Sequence, residues 1–207
     1  MSQFFHIHPE NPQKRLISQS CEIIRKGGLV AYPTDSGYAI GCHIGDKNAM
    51  DRIRRIRDLD DDHNFTLVCR DLSELSTYAK VNNSVYRAIK SHTPGAYTFI
   101  LPATKEVPRR LQHNKRKTIG LRIPDNLIAL ALLEELNEPL MSSSLIMPDE
   151  QLPMTDPQEI VDRLNKQVDL VIDGGFGHSE PTTVIEFIDD MPEVMRVGLG
   201  DPSHFED

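Results

Sequence analysis

Arginines recur along the segment from Asp46 to Leu59, whose apolar residues have helical spacing. On the predicted helix the arginines lie opposite the apolar face: Arg52, Arg54, Arg55 and Arg57. A guanidinium binds phosphate oxygens in a bidentate manner, so Arg55 and Arg57 can hold a triphosphate or an RNA backbone. The alternative is a solvated face paired with the acids that follow: Asp58, Asp60, Asp61 and Asp62.

A second basic cluster lies in residues 105–122, where Glu106 is the single acid among these basic residues: Lys105, Arg109, Arg110, Lys115, Arg116, Lys117 and Arg122. Such a local patch attracts phosphates even in an acidic protein. Since no aromatic residue interrupts it, structured RNA fits better than stacked single strands. A solvated loop is the alternative.

Hydroxyl side chains fall at the ends of several predicted strands: Thr34, Ser142, Ser143, Ser144, Thr182 and Thr183. Together with Arg122 they can bind an amino acid or a nucleotide without a catalytic triad. No single one is informative, because Ser and Thr are common at strand ends.

The elements that must position these residues centre on the segment from Leu29 to Cys42. Its apolar run predicts a buried strand that stops at Pro33, and a second strand begins at Tyr38. The polar turn between them, from Thr34 to Gly37, lies where ligands often bind in α/β sheets. A simple β-turn between two core strands is the alternative.

Strands and helices alternate along the chain without strict βαβ units, which predicts one α/β domain, residues 1–207, with a mixed sheet. The predicted helices span 12–26, 46–59, 72–78, 84–92, 126–136 and 157–165. The predicted strands span 4–7, 29–32, 38–42, 65–69, 97–101, 118–123, 140–144, 170–172, 183–187 and 194–197. The short tail after Gly198 is predicted to be mobile.

Composition excludes several classes of protein. The formal net charge of −8 argues against binding nucleic acid through overall charge. Cys21, Cys42 and Cys69 lie in apolar runs without C-x-x-C spacing, which predicts buried free thiols in the cytoplasm and no metal site. No apolar run reaches membrane length, and the first residues are unlike a signal peptide.

The segment YPTDSGYAIG, residues 32–41, resembles the YPT-[ED]-x-x-Y-x-[LI]-G signature of the YrdC-like family, which includes the threonylcarbamoyl-AMP synthases. Further similar segments follow in the family's order: RIR, HNFTL, PGAYTFIL, TIGLRIP, LMSSSLI and PTTVIEF. The similarity is greatest to the YciO branch of the family. It implies a single twisted mixed-sheet domain with a large concave basic face.

The resemblance also implies a pocket for substrate and nucleotide. Its residues would be Thr34, Arg55, Arg57, His63, Asn64, Thr118, Arg122, Ser142, Ser144, Thr182, Thr183 and Arg196. Among them, Arg55, Arg57 and Arg122 would stabilise phosphate charge. No side chain is assigned as a nucleophile or as a metal ligand.

The activity implied by the resemblance joins L-threonine, bicarbonate and ATP, which arrives with Mg²⁺, into threonylcarbamoyl-AMP. The product would serve the threonylcarbamoyl modification of tRNA adenosine. The alternative is a module that binds tRNA or double-stranded RNA, with little or no catalysis.

The chain departs from the synthase pattern at two positions. Arg55 stands at the lysine of the K-x-R motif, and Ile146 stands at the asparagine of the S-x-N motif. Isoleucine can neither donate nor accept a hydrogen bond, and arginine is bulkier than lysine. We therefore predict an intact pocket with weak synthase activity.

Overall fold

Ten strands form one mixed sheet in the computed structural model, which describes residues 1–60, 63 and 65–206. The strands are β1 (Gln3–His6), β2 (Val30–Pro33), β3 (Tyr38–His43), β4 (Thr66–Val68), β5 (Tyr97–Pro102), β6 (Thr118–Arg122), β7 (Leu140–Ser144), β8 (Leu170–Asp173), β9 (Thr183–Ile188) and β10 (Met191–Arg196). Their order across the sheet is β1-β8-β2-β3-β7-β4-β6-β5-β9-β10. Parallel and antiparallel pairs alternate irregularly, as the prediction of a mixed sheet in a single α/β domain requires.

The short strand β4 joins two halves of this sheet. It pairs antiparallel with β7 on one side and parallel with β6 on the other. Thr66 lies opposite both Ser142 and Gly120, and Val68 lies opposite both Leu140 and Arg122. The predicted hydroxyl and arginine positions therefore meet at this junction.

Six α-helices accompany the strands: α1 (Lys14–Arg25), α2 (Lys47–Arg57), α3 (Leu72–Tyr78), α4 (Asn83–Lys90), α5 (Leu127–Leu136) and α6 (Pro157–Leu164). Short polar side chains cap most of them; the Asp46 carboxylate, for example, accepts a bond from the Ala49 N–H at the start of α2. Within the described residues, no helix is both long and apolar enough to cross a membrane.

Successive residues along the strands pack in two separate apolar clusters, one on each face of the sheet. Val30 and Tyr32 pack with α1 and α5, whereas Leu29 and Ala31 belong to the cluster that includes α2, α3, α4 and α6. On β5, β6 and β9 the alternate side chains belong to neither cluster, and they include polar, small and aliphatic residues: Thr98, Ile100, Gly120, Arg122 and Val184. This part of the sheet carries the candidate site.

Strand β10 forms one edge of the sheet and is irregular. Pro192 lies within it, and the pairing register with β9 shifts between Val194 and Arg196. Large apolar side chains on and next to this edge are exposed: Ile188, Met191, Met195 and Val197.

The three cysteines are free and buried, as their sequence context predicts. Burial raises the pKa of the Cys21 and Cys42 thiols to about 12. The thiols are therefore protonated at neutral pH and poor nucleophiles.

The segment after Gly198, for which a mobile tail is predicted, contains a buried aromatic residue. Phe205 is only 5% exposed, and its ring lies 4.5 Å from that of His92 and 6.1 Å from that of Phe99. The Thr183 hydroxyl donates to the Gly200 carbonyl over 2.5 Å. One aromatic residue near the end of the chain thus attaches the tail to the core, a long-range contact that local composition does not reveal.

Replacing Phe205 by Ala should lower the free energy of unfolding by about 2–4 kcal/mol, since a buried aromatic ring is lost from the core. Urea denaturation measures this. Phe176, which is 81% exposed, provides the matched control; Phe176→Ala should change stability by less than about 0.5 kcal/mol. Equal stabilities of the two variants would show that the tail does not pack as described.

Candidate functional site

A cavity of about 190 Å³ lies over the middle strands of the sheet. It is lined by Arg57, His63, Thr66, Thr98, Ile100, Gly120, Ser143, Ser144, Ile146, Thr182, Val184 and Arg196. Two arginines, several hydroxyls and a few aliphatic side chains therefore share one enclosure.

Strand register brings the floor of this cavity together. Gly120 pairs with Thr66 on one side and with Ile100 on the other, while Thr98 pairs with Val184. A Cβ atom at Gly120 would lie 3.0 Å from the Thr66 hydroxyl oxygen, closer than ordinary packing. Because Gly120 has no side chain, the cavity reaches down to the backbone of β6 at this point.

Arg57 reaches the cavity from the end of α2. The helix stops there because Asp58 adopts a left-handed conformation, with φ of 51°. The Arg57 Nε donates to the Ile146 carbonyl over 2.7 Å, and its Nη1 donates to the Ser143 hydroxyl over 2.6 Å. Burial lowers the pKa of the guanidinium below its usual value, yet arginine remains charged at neutral pH.

Arg196 is held in a similar way at the end of β10. Its Nη2 donates to the Thr182 carbonyl over 2.8 Å and to the Thr182 hydroxyl over 3.2 Å. The Thr182 and Thr98 hydroxyls are 2.9 Å apart. Burial, and then the charge of Arg122, lowers the pKa of Arg196.

His63 also lines the cavity, where its ring makes an edge contact with Phe65 at 5.7 Å. Desolvation, followed by the charges of Arg57 and Arg54, lowers the pKa of His63 below 6.5. The imidazole is therefore mainly neutral at pH 7, and it can donate or accept a hydrogen bond there.

Arg122 is not among the lining residues and is ion-paired with Asp35. Arg122 is 5% exposed, and within the described part of the chain its Nε has no hydrogen-bond partner. The other Asp35 oxygen accepts from the Asp125 N–H over 2.8 Å. This ion pair joins the β2–β3 turn to the end of β6.

The remaining predicted hydroxyls are buried outside the cavity lining. The Thr34 hydroxyl donates to the Gly37 carbonyl over 2.6 Å, Ser142 lies 2.7 Å from the Tyr32 hydroxyl, and Thr183 binds Gly200. The Thr118 hydroxyl has no partner among the described residues. Of the predicted set, the cavity brings together Arg57, His63, Ser144, Thr182 and Arg196, while Asn64 lies outside the described residues.

Arg55 does not join Arg57. Its Nε donates to the Asp51 carbonyl over 3.3 Å, and the side chain lines a different depression with Arg52, Lys166 and Gln167. The geometric reason is that residues two apart on a helix do not face the same side. Arg57 therefore reaches the cavity and Arg55 does not, while a ligand contact of Arg55 stays a prediction.

The basic segment from Lys105 to Lys117 is also divided. The Arg116 Nη1 lies 2.6 Å from an oxygen of Glu186, which is 3% exposed, and the Arg110 Nη2 donates to the Gly45 carbonyl over 2.5 Å. All six basic side chains of this segment are exposed: Lys105, Arg109, Arg110, Lys115, Arg116 and Lys117. Among the described residues, the Arg116 charge is paired with a carboxylate, so one of the six charges is compensated.

The sequence did not predict several of the lining residues: Thr66, Thr98, Ile100, Gly120 and Val184. Ser143 was predicted only as one of the hydroxyl side chains at strand ends. The alternation of the lining residues within strands was visible, but which strands pair was not. Within the described residues there is also no group of three His, Cys, Asp or Glu side chains that could hold a metal ion.

Comparison with known proteins identifies the family. Residues 22–198 match the Sua5_yciO_yrdC family model, whose description is "Telomere recombination". The chain belongs to the Sua5/YciO/YrdC family. Within it, the chain is 63% identical over 205 residues to YciO of Escherichia coli K12, covering 99% of this chain and 100% of that protein.

The solved structures of this family agree with the fold. The crystal structure of E. coli YciO matches with a TM-score of 0.97 and 63% identity, over 100% of both chains. P. abyssi Sua5 complexed with L-threonine matches with a TM-score of 0.87 and 26% identity, over 95% of this chain and 58% of that chain. The threonylcarbamoyl-AMP synthase of Bacillus subtilis is 26% identical over 184 residues, covering 88% of this chain and 53% of that protein.

The pKa of His63 provides a direct probe of the cavity. NMR titration should place it below 6.5, because desolvation and the charge of Arg57 both disfavour the imidazolium. Arg57→Ala should raise it, since one nearby positive charge is removed. Arg55→Ala, on the same helix but outside the cavity, should leave it unchanged. If Arg57→Ala had no effect, Arg57 would not lie beside His63.

Proposed function

We propose that the cavity binds the anionic part of a nucleotide substrate and that the chain carries out threonylcarbamoyl-AMP synthesis at a low rate. The observation that carries this is the pairing of two cavity arginines, Arg57 and Arg196, with hydroxyl groups in one enclosure. The synthase of B. subtilis and the threonine complex of P. abyssi Sua5 support the choice of chemistry.

In the proposed reaction, the amine of L-threonine attacks the carbon of CO₂ and loses a proton to give a carbamate; with bicarbonate as the source, water leaves. A carbamate oxygen attacks the α-phosphorus of ATP; the bond to the bridging oxygen breaks, and pyrophosphate leaves with the electron pair. No covalent enzyme intermediate is needed. The protein's task is to orient two anions and to stabilise the negative charge that develops.

The side chains of the cavity suit these tasks. Arg57 and Arg196 supply positive charge, while the Ser144 and Thr182 hydroxyls can orient oxygen atoms. Ile100, Val184 and Ile146 make part of the wall apolar, which limits competing water. A volume of about 190 Å³ accommodates an amino acid or a few phosphate groups, so most of a nucleotide would extend beyond it.

Mg²⁺ would enter with ATP as part of the substrate. Mg²⁺ in nucleotide sites is held largely by phosphate oxygens and water, with few protein ligands. When bound, the ion would neutralise phosphate charge; the residues of the chain would contribute cations and hydroxyls.

The low rate follows from position 146. Ile146 is one of the lining residues, at the position where the family's asparagine would offer an amide. Its carbonyl is already used, since it accepts from Arg57. A ligand group placed there is desolvated without gaining a partner, which is unfavourable.

The RNA-binding alternative receives less support. Arg116 is neutralised by Glu186, and the remaining exposed charges of the segment belong to an acidic chain. RNA binding, if present, would depend on Lys105, Arg109, Arg110, Lys115 and Lys117 and would fall steeply with salt.

Arg57→Ala should weaken ATP binding by about 1.5–3 kcal/mol, because a charge-assisted hydrogen bond in a buried site is lost. Isothermal titration calorimetry measures this. Arg55→Ala is the matched control, since it removes an arginine from the same helix outside the cavity, and it should bind ATP as the native chain does. Unchanged affinity in Arg57→Ala would remove this residue from the site.

Ile146→Asn should raise the rate of pyrophosphate release, measured with ATP, L-threonine and bicarbonate, by about 5- to 100-fold, because it restores a buried hydrogen-bonding partner. Ile146→Leu, which keeps the site apolar, is the control and should leave the rate low. A native rate equal to that of a relative with asparagine there, or a folded Ile146→Asn variant without gain, would contradict the explanation.

A further inference from the structure

The arginines of this chain differ in what holds them, and some outside the cavity lining, such as Arg55 and Arg110, donate to a backbone carbonyl. Those outside the cavity lining include several paired with carboxylates: Arg116 with Glu186, Arg122 with Asp35, and Arg163 with Glu150. The two that line the cavity are bonded differently. Neither Arg57 nor Arg196 has a carboxylate within ion-pair distance among the described residues.

Each cavity arginine is instead held by one backbone carbonyl and one hydroxyl. Arg57 donates to the Ile146 carbonyl and the Ser143 hydroxyl, over 2.7 and 2.6 Å. Arg196 donates to the Thr182 carbonyl and the Thr182 hydroxyl, over 2.8 and 3.2 Å. These acceptors are uncharged, so they fix the direction of each guanidinium without pairing it with a carboxylate of the described residues.

We propose that Ser143 is a positioning residue: it orients Arg57 toward the cavity while preserving the charge that binds an anion, as Thr182 does for Arg196. This inference rests on the proposed anion-binding role of the cavity and deepens it. The ligand feature recognised is a pair of separate anionic oxygen groups, as in a di- or triphosphate, or a phosphate together with a carboxylate.

The number of donors supports this assignment. A guanidinium has five N–H groups, and the two contacts of Arg57 use its Nε hydrogen and one on Nη1. The Nη2 hydrogens and the second Nη1 hydrogen remain for a ligand. Ser143 lines the cavity, and because its oxygen accepts from Arg57, its own hydrogen is available to a ligand oxygen.

A carboxylate in the place of Ser143 would hold Arg57 more strongly but would neutralise it. A Ser143→Asp variant therefore distinguishes two roles for Ser143: preserving the charge of Arg57, or only fixing the position of its side chain. If Ser143 only fixed the side chain, Ser143→Asp would retain anion binding. If the charge must stay uncompensated, Ser143→Asp should bind anions worse than Ser143→Ala does.

The test measures binding of inorganic pyrophosphate to the full chain by calorimetry. Ser143→Ala should weaken binding by about 3- to 10-fold, Ser143→Thr should stay within about twofold, and Ser143→Asp should lose about 30-fold or more. Thr77→Ala is the control, because the Thr77 hydroxyl bonds the Ser73 carbonyl of α3 outside the cavity. Its affinity should match that of the native chain.

The pKa of His63 gives a second readout that needs no ligand. Arg57 lowers this pKa through its charge, after desolvation. Ser143→Ala should release Arg57 and raise the pKa, whereas Ser143→Thr should keep the native value. Should Ser143→Asp fail to fold, Thr182→Val and Thr182→Ser repeat the binding comparison at Arg196, with loss expected only for valine.

The results distinguish this inference from the proposed function. If the native chain binds neither pyrophosphate nor ATP, the anion-binding cavity is wrong, and the ligand-free His63 titration alone decides whether Ser143 positions Arg57. If the native chain binds but Ser143→Ala binds equally well and leaves the His63 pKa unchanged, the positioning role is overturned. Native affinity in a folded Ser143→Asp variant would overturn the requirement for an uncompensated charge.

Discussion

The three residues of β4 connect the two halves of the sheet, and the candidate site depends on this connection. Thr66 pairs with Ser142 in one half and with Gly120 in the other. The fully buried Leu67 packs in the larger apolar cluster at the same point. The Asp35–Arg122 ion pair crosses the same junction from the β2–β3 turn. Breaking a buried pair by removing one partner typically costs about 3–5 kcal/mol, so this contact helps to fix the halves relative to each other.

Charge distribution explains how an acidic chain can place positive charge in a cavity. Its net charge is −8, and carboxylates pair with five of the arginines among the described residues: Arg52, Arg70, Arg116, Arg122 and Arg163. In the cavity, hydroxyls and carbonyls take the place of these acids. The field that a ligand meets is therefore set by a few buried contacts, and the total charge of the chain is a poor guide to it.

Local sequence patterns predicted the elements well because each has its own signal. The apolar spacing of Ile53 and Ile56, the caps such as Asp46, and the break at Pro33 depend only on neighbouring residues. The composition of the site could not be predicted in the same way, because it depends on which distant residues the fold brings together. The pairing of β4 with β6 brings Thr66 to Gly120, and helix rotation separates Arg55 from Arg57. The contacts of Arg116 with Glu186 and of Phe205 with Phe99 likewise join residues far apart in the chain.

The irregular edge strand β10 has a consequence for assembly. A regular strand at the edge of a sheet offers a row of N–H and C=O groups to which another chain can add. Pro192 has no N–H to contribute, and the register shift between Val194 and Arg196 interrupts the row. The exposed Met191 and Met195 side chains therefore lie on a strand that resists extension into a larger sheet. The same distortion lies next to Arg196, so the feature that discourages aggregation also delivers one of the two cavity arginines.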